Sequence, residues 1–386
     1  MRKYHFWLLI CLSLFAFLSI SLFEGFVILT LLLALYDLVF EKNFKGSLRI
    51  GISFYTFSTV LSTALYYPLR FLKSIEEGLF QLVYFLKIDK ESAERFSRIF
   101  PYLMIIAGLF LLPVVLYNFY ERKDPKPLWG GSFETGFFFT LFSLTSLLLF
   151  IRKKSFYFFI LFLLFTGIVF LSHRRSMILA LFVMFYILLI ILLRSKIISR
   201  KLFIAFNVVF LLSFAGGYVY LSKTDYRFKL LNEIILGKRK PDYNTLSAIS
   251  SARLGILRDG IEIIKEDIEK KRFVNLLIGH GVRAGEYMKH KYAPKVHRYE
   301  SIFVVSELIE RGVLGVLGIL LIYFNYFRYM LSFRIGRSED YYTLILAIPL
   351  GIHLIQTLFT FFWDALLPLY ILLFKVSETL REKPQG

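Results

Sequence analysis

Residues 155–194 read SFYFFILFLLFTGIVFLSHRRSMILALFVMFYILLIILLR, and this stretch decides the fold class. It consists of two apolar runs, 155–172 and 176–194, which are separated by a short polar interruption with two arginines. Each run approaches the roughly 20 apolar residues that a helix needs to cross a bilayer. The stretch therefore predicts two membrane-spanning helices joined by a very short turn.

The rest of the chain repeats this pattern. The runs predict about twelve spans, each judged by the length that a crossing helix needs; they lie at 6–23, from 25 onward, 48–67, 71–87, 100–118, 135–151, 155–172, 176–194, 202–221, 301–327, 342–362 and 365–378. The run 71–87 has the weakest pattern because it carries Lys73, Glu76 and Glu77. The first run lacks a convincing cleavage site, so we expect a retained helix and not a signal peptide.

Composition supports a membrane protein. Of 386 residues, 57% are hydrophobic, and 19% are charged, against roughly 25% charged in soluble domains. This excludes a soluble enzyme, a disordered chain and a coiled coil as default classes. The single cysteine, Cys11, cannot form an internal disulfide. The predicted fold class is an all-α polytopic membrane protein with about twelve spans.

Charge predicts the orientation of the spans. The net charge is +19, and most lysines and arginines lie between apolar runs on alternate sides, so membrane topology explains them better than nucleic-acid binding. The positive-inside rule places both termini in the cytoplasm. We expect nine spans in 1–221, a large periplasmic loop in 222–300, and three spans with a cytoplasmic tail in 301–386.

The predicted loop contains one clear amphipathic pattern. Apolar residues recur at spacings of three and four between 253 and 272, which predicts a helix with one apolar face. Ser250 or Ser251 is expected to cap its first turn.

Four groups of residues in the second half could carry chemistry. Arg174 and Arg175 begin a helix on the predicted outer side, where an anion would offset their charge and the helix dipole; snorkelling arginines are the alternative. Arg253 begins the amphipathic helix, or is a solvated loop arginine. The turn with His280 and Arg283 is either structural or a weak phosphate loop. His297 is a general base or an ordinary interfacial histidine.

Other features argue against further activities. Gly312, Gly315 and Gly318 are spaced for close helix packing. The sequence has no Walker A lysine loop, no Asp-x-Asp pair in the loop and no His-Glu-x-x-His motif. We therefore predict neither a cofactor nor a metal.

These pieces together resemble the O-antigen ligase and polymerase superfamily of bacterial inner membranes over about residues 165–330. The matching motifs, in chain order, are Arg175-Ser176, Arg253-Leu-Gly-Ile-Leu257, Gly279-His-Gly281 and Gly312-Val-Leu-Gly315. The family's usual spacing would place its histidine at Ser301. Here His297 lies four residues earlier, one helical turn up the same face, and Glu300 is a rival base.

The resemblance implies glycosyl transfer on the periplasmic face of the inner membrane. The donor would be a polysaccharide on undecaprenyl diphosphate, and the acceptor a sugar hydroxyl of lipid A–core in a ligase or another lipid-linked repeat in a polymerase. His297 would be the base, with Arg174, Arg175 and Arg253 on the diphosphate. A lipid-linked oligosaccharide flippase is the alternative from another class.

Overall fold

The computed structural model describes residues 4–224, 226–250, 253–288 and 302–382, and every regular element in these ranges is helical. The first half contains α1 (Tyr4–Leu18), α2 (Ile20–Val39), α3 (Arg49–Tyr66), α4 (Phe71–Glu77), α5 (Lys90–Arg122), α6 (Ser132–Lys153), α7 (Phe156–Leu171) and α8 (Arg175–Arg194). The second half contains α9 (Arg200–Thr224), α10 (Tyr226–Ile235), α11 (Tyr243–Ile249), α12 (Arg253–Glu269), α13 (Phe273–Ile278), α14 (Phe303–Ser332), α15 (Asp340–Thr357) and α16 (Leu367–Arg381). Short 3₁₀ helices lie at Pro68–Arg70, Leu79–Phe85 and Ala284–Glu286.

The chain has the helices of a membrane-embedded protein. Four of the described helices, α2, α5, α6 and α8, are long and apolar enough to cross a bilayer. The helices α1 and α7 are apolar but shorter. The all-helical, membrane-type fold class is thus confirmed, while the full set of twelve spans stays a prediction.

The core is built around α6, α15 and α16, whose side chains are buried along almost their whole length. Phenylalanines dominate the contacts of α6: Phe138, Phe139 and Phe142 are each fully buried. A helix that is apolar on all sides and buried on all sides belongs at the centre of a bundle. The more exposed apolar helices α1, α2, α5, α7 and α8 surround it.

Two of the three predicted glycines, Gly315 and Gly318, mark a close helix contact as expected, whereas Gly312 lies at a break in α14. A Cβ atom built on Gly318 of α14 would lie 2.7 Å from the carbonyl oxygen of Gly51 in α3. One built on Gly315 would lie 2.7 Å from the hydroxyl oxygen of Ser58 in α3. Small residues let two helix backbones approach this closely.

The bundle has two distinct ends. We call the end that carries residues 222–288 the segment end; there the guanidinium of Arg70 lies 2.7 Å from the carboxylate of Glu286. At the opposite end, His5 near the start of α1 contacts Asp89, and Glu378 of α16 accepts a hydrogen bond from the Ser47 N–H. The first and last described helices therefore place their outer termini at the end opposite the polar segment.

The predicted span 71–87 is wrong as a single helix. Helix α4 ends at Glu77, and a 3₁₀ helix, Leu79–Phe85, follows after Gly78. At 1.5 Å per residue, α4 covers only about 10 Å of the roughly 30 Å needed. The segment still runs between the two ends, because Tyr84 donates a hydrogen bond to Glu378 at the opposite end. Broken backbone of this kind is tolerated at membrane depth only where protein surrounds it.

The amphipathic helix in the polar segment is present as predicted. Helix α12 begins at Arg253, and the Ser250 hydroxyl accepts a hydrogen bond from the Leu254 N–H at 3.3 Å. The face that packs on the first turns of α14 is not the one predicted: Ile256 is buried there with Ile309, whereas Ile261 and Ile268 of the three-and-four pattern are exposed. The polar segment is therefore held against the bundle and is not a free loop.

Candidate functional site

The two arginines that begin α8 contact different neighbours. The Arg174 Nε–H donates to the Ser132 hydroxyl at 2.8 Å, which ties α8 to the first residue of α6. The Arg175 guanidinium lies over the ring of Phe228 in α10, 4.9 Å from its centroid. Arg175 therefore reaches the polar segment, and Arg174 bridges two helices of the bundle.

Arg253 lies beside a second arginine that the sequence analysis did not single out. Burial lowers the pKa of Arg253, and the positive charge of Arg227 lowers it further. Arg227 precedes Phe228, the residue on which Arg175 stacks. Helix α10 thus carries both the ring that Arg175 contacts and the arginine whose charge acts on Arg253. We call Arg175, Arg227 and Arg253 the basic cluster. Arg253 is half-buried, whereas Arg175 and Arg227 are exposed, and guanidinium groups form strong charge-assisted hydrogen bonds with phosphate oxygens.

The Gly-His-Gly turn is a structural lock between α13 and α14. The N–H groups of His280 and Gly281 donate to the carbonyl oxygens of Ile309 and Glu310 at 2.7 and 3.0 Å. Gly279 and Gly312 both have positive φ, 89° and 62°. Those conformations let the turn reach the carbonyls that are freed where α14 breaks at Gly312.

His280 is fully engaged in this lock. Its Nε2 lies 2.7 Å from the Asp267 carboxylate, and its Nδ1 lies 3.0 Å from the Asn275 side-chain amide. The side chain is buried. With both ring nitrogens bonded, His280 orients α12 and α13, which agrees with the structural alternative for this turn.

Arg283 lies next to an acidic group. Its backbone N–H donates to the Glu310 carboxylate at 3.1 Å, and its guanidinium lies 3.6 Å from the Glu286 carboxylate. Its Nε–H is buried without an acceptor among the described residues. Arg283 also lines a small gap of about 10 Å³ with the acidic residues described next.

The most strongly charged feature of the interior was missed by the sequence analysis. The Arg311 guanidinium lies 2.6 Å from Glu77, 2.7 Å from Glu307 and 3.1 Å from Glu310, and Thr59 accepts a further hydrogen bond from its Nε–H. We call Glu77, Glu307, Glu310 and Arg311 the buried ion cluster. The available signal was the three charged residues Glu307, Glu310 and Arg311 inside an otherwise apolar run, since charged residues within a membrane are functional candidates by default.

His297, Glu300 and Ser301 lie outside the described residues, so the choice of base stays a prediction. Within the described ranges, no group of three or more His, Cys, Asp or Glu side chains is arranged to hold a metal ion.

Comparison with known proteins identifies one strong relative. No protein-family model matches the sequence. A protein of Aquifex aeolicus (strain VF5), described only as an uncharacterized protein, is 62% identical over 376 residues, which covers 97% of each chain. At this identity and coverage, the chain belongs to the same family as the Aquifex aeolicus protein.

Proposed function

We propose that this protein is an O-antigen ligase that transfers a polysaccharide from undecaprenyl diphosphate to a sugar hydroxyl of lipid A–core. The reaction would take place at the segment end, on the periplasmic face of the bacterial inner membrane, with both chain termini in the cytoplasm. Its partners would be the lipid-linked donor, the lipid acceptor and the surrounding membrane lipids. The chemistry proposed here involves only side chains.

The basic cluster is the observation that carries this proposal. The leaving group of the reaction is a lipid diphosphate, which gains negative charge as the bond to the sugar breaks. Arg175, Arg227 and Arg253 come from three separate helices, and the charge of the exposed Arg227 acts on the half-buried Arg253. Guanidinium groups bind phosphate oxygens in bidentate geometry, so these arginines would stabilise a diphosphate as it leaves.

The remaining chemistry requires a base for the acceptor. The acceptor oxygen attacks the anomeric carbon, the bond from that carbon to the diphosphate oxygen breaks, and the hydroxyl proton passes to the base. We assign that role to His297, which lies five residues before Ile302, the residue that caps α14. An imidazole with a pKa near 6.5 is mostly neutral at periplasmic pH and can accept the proton.

A polymerase would use the same residues with a different acceptor, another lipid-linked repeat. A flippase is favoured by a different observation, the buried ion cluster. This cluster joins two places where a helix is interrupted, one at Gly78 and one at Gly312. Discontinuous helices with buried charges are typical of transport sites. The basic cluster at one end of the bundle favours transfer over transport.

The test is reconstitution of the purified protein with lipid-linked O-antigen and lipid A–core. Ligated lipopolysaccharide supports the ligase, and longer lipid-linked chains support the polymerase. If neither product forms and the lipid-linked glycan instead moves across vesicle membranes, the flippase is correct.

Single variants then test the diphosphate site. Each lost charged hydrogen bond contributes roughly 1.5–3 kcal/mol, so Arg175→Ala and Arg253→Ala should each reduce transfer by roughly 10- to 100-fold. Arg253→Lys should recover only part of the activity, because its ammonium keeps the positive charge but cannot bind bidentately. Arg239→Ala is the matched control, since Arg239 lies in the same polar segment but pairs with Glu233 at 3.2 Å. Full activity in Arg253→Ala removes that residue from the site.

A further inference from the structure

A second feature of the segment end is a cavity of about 250 Å³ between the α5–α6 connection and the α15–α16 connection. At roughly 30 Å³ per water molecule, this volume corresponds to about eight waters. That is room for one sugar ring with its hydroxyl groups. Trp129 and Trp363 lie in its wall, together with Glu134 and Asp364.

The cavity contains a rigid aromatic surface. The Trp129 Nε1–H donates to the Ala16 carbonyl oxygen at 3.1 Å, and its ring packs edge-to-face on Phe138. These contacts hold the indole in place before any ligand binds. The apolar C–H face of a pyranose packs well on an aromatic ring, because the ring offers a large contact area at little cost in side-chain entropy.

Each of the two carboxylates in the wall, Glu134 and Asp364, has one oxygen that accepts a hydrogen bond and one that does not. Glu134 Oε2 accepts from the Gly131 N–H at 2.6 Å, and Asp364 Oδ1 accepts from the Leu366 N–H at 2.8 Å. The second oxygen of each carboxylate has no hydrogen-bond partner among the described residues. The cavity therefore offers acceptors that a hydroxyl-bearing ligand would satisfy.

A lysine beside the wall distinguishes a sugar from a cation. Aromatic rings with carboxylates also suit an ammonium group. The Lys73 ammonium, however, already lies over the Trp363 ring, 4.7 Å from its centroid. A second cation on this ring would meet a like charge, whereas a neutral sugar would not.

A second cavity provides an internal comparison. At the opposite end of the bundle, a cavity of about 270 Å³ is lined by charged and polar residues, including Glu94 and Glu339, and by no aromatic ring. The two cavities are similar in volume and differ in chemistry. The aromatic surface therefore distinguishes the cavity at the segment end.

We propose that the cavity lined by Trp129 and Trp363 binds a single pyranose unit, which is the acceptor sugar of the transfer. Sugar binding stands on the cavity alone, and the acceptor role rests on the proposed function. The position suits it: Phe133 and Glu134 of the wall follow Ser132, which accepts the hydrogen bond from Arg174, next to Arg175 of the basic cluster. The cavity and the basic cluster are thus linked through Ser132 and Arg174.

Tryptophan fluorescence tests binding directly, because two of the three tryptophans line the cavity. Trp7→Phe removes the third, which is exposed on α1. This variant, placed in lipid nanodiscs free of sugar detergents, is titrated with D-glucose, D-galactose, glycerol and tetramethylammonium chloride. We expect a saturable emission change with at least one hexose and none with the other two compounds. A response to tetramethylammonium alone, or to no hexose, overturns the proposal.

Two variants locate the binding and separate the two claims. Asp364→Asn, which can still accept the hydrogen bond from the Leu366 N–H, should weaken hexose binding about tenfold, the scale of one charged hydrogen bond. Glu339→Gln, in the comparison cavity, should leave it unchanged. Equal loss in both variants overturns the location. If Asp364→Asn loses hexose binding but transfers glycan to acceptor with an unchanged KM, the acceptor role is wrong while the sugar site remains. If hexose binds normally but no transfer occurs, the proposed function fails instead.

Discussion

Substitution of Gly312 by alanine tests the structural lock on which the proposed site depends. Gly312 has φ 62° and ψ −170°, a region open essentially to glycine alone. An added Cβ would also lie 2.5 Å from the carbonyl group of Leu277. Holding another residue in such a conformation costs about 1–3 kcal/mol, and the backbone overlap adds to it. We expect Gly312→Ala to destabilise the protein by about 3 kcal/mol, roughly a hundredfold in the folding equilibrium.

A matched control exists in α7. Gly167 is helical, and a Cβ built on it meets no atom within 4 Å, so Gly167→Ala should be neutral or stabilising by up to about 1 kcal/mol. The assay is thermal inactivation of detergent-solubilised protein followed by size-exclusion chromatography. Both variants are heated at the same rate, because membrane proteins often unfold irreversibly.

A second measurement connects stability to the site. Hydrogen exchange should be faster over 273–288 in Gly312→Ala than in the parent, because the turn that donates to Ile309 and Glu310 must move. If Gly312→Ala is as heat-resistant as Gly167→Ala and protects 273–288 normally, the described break in α14 is wrong.

Three further predictions concern topology, the base and pH. Single cysteines at Ser247 and Ser199, in a background without the native cysteine, should be labelled by an impermeant thiol reagent on spheroplasts at the first position only; reversed labelling overturns the orientation. His297→Ala should reduce transfer roughly 100-fold or more, and a normal His297→Ala with an inactive Glu300→Gln would move the base to Glu300. Burial raises the pKa of the Glu286 carboxyl, but hydrogen bonds from its arginine and tyrosine partners outweigh this and lower it overall. A lowered carboxyl pKa stabilises the fold above the unfolded value near 4.3 and no longer does so once the pH falls through the folded value. The melting temperature of Glu286→Gln should therefore lie below that of the parent at neutral pH, and the gap should close as the pH falls through the folded pKa of Glu286; a constant gap refutes the ion-pair role.

The pKa of Asp364 is shifted in the opposite direction to the pKa of Glu286. Burial and, to a lesser extent, the nearby charge of Glu134 raise the pKa of Asp364 to about 6. A raised carboxyl pKa means that ionised Asp364 is less favourable in the folded protein than in the unfolded chain. This arrangement costs folding free energy, as expected where a site is organised for a ligand and not for stability.

The sequence alone was sufficient for the features that depend on local pattern. Apolar runs predicted the helical membrane class, the three-and-four spacing predicted α12, and the glycine spacing predicted the close approach of α14 to another helix. These succeeded because bilayer thickness and helix periodicity act on neighbouring residues in the chain. The motif with Arg175 and the motif with Arg253 likewise drew attention to two members of the basic cluster.

Only the tertiary structure decided which distant side chains meet. Arg311 reaches Glu77 across 234 positions, and this contact allows the segment 71–87 to break at Gly78 and still carry a carboxylate inside the bundle. No local pattern contains this information, because a buried charge is tolerated only through a partner that packing brings to it. The same reason explains why Arg227 went unnoticed: its role depends on Arg253, which a different helix places beside it.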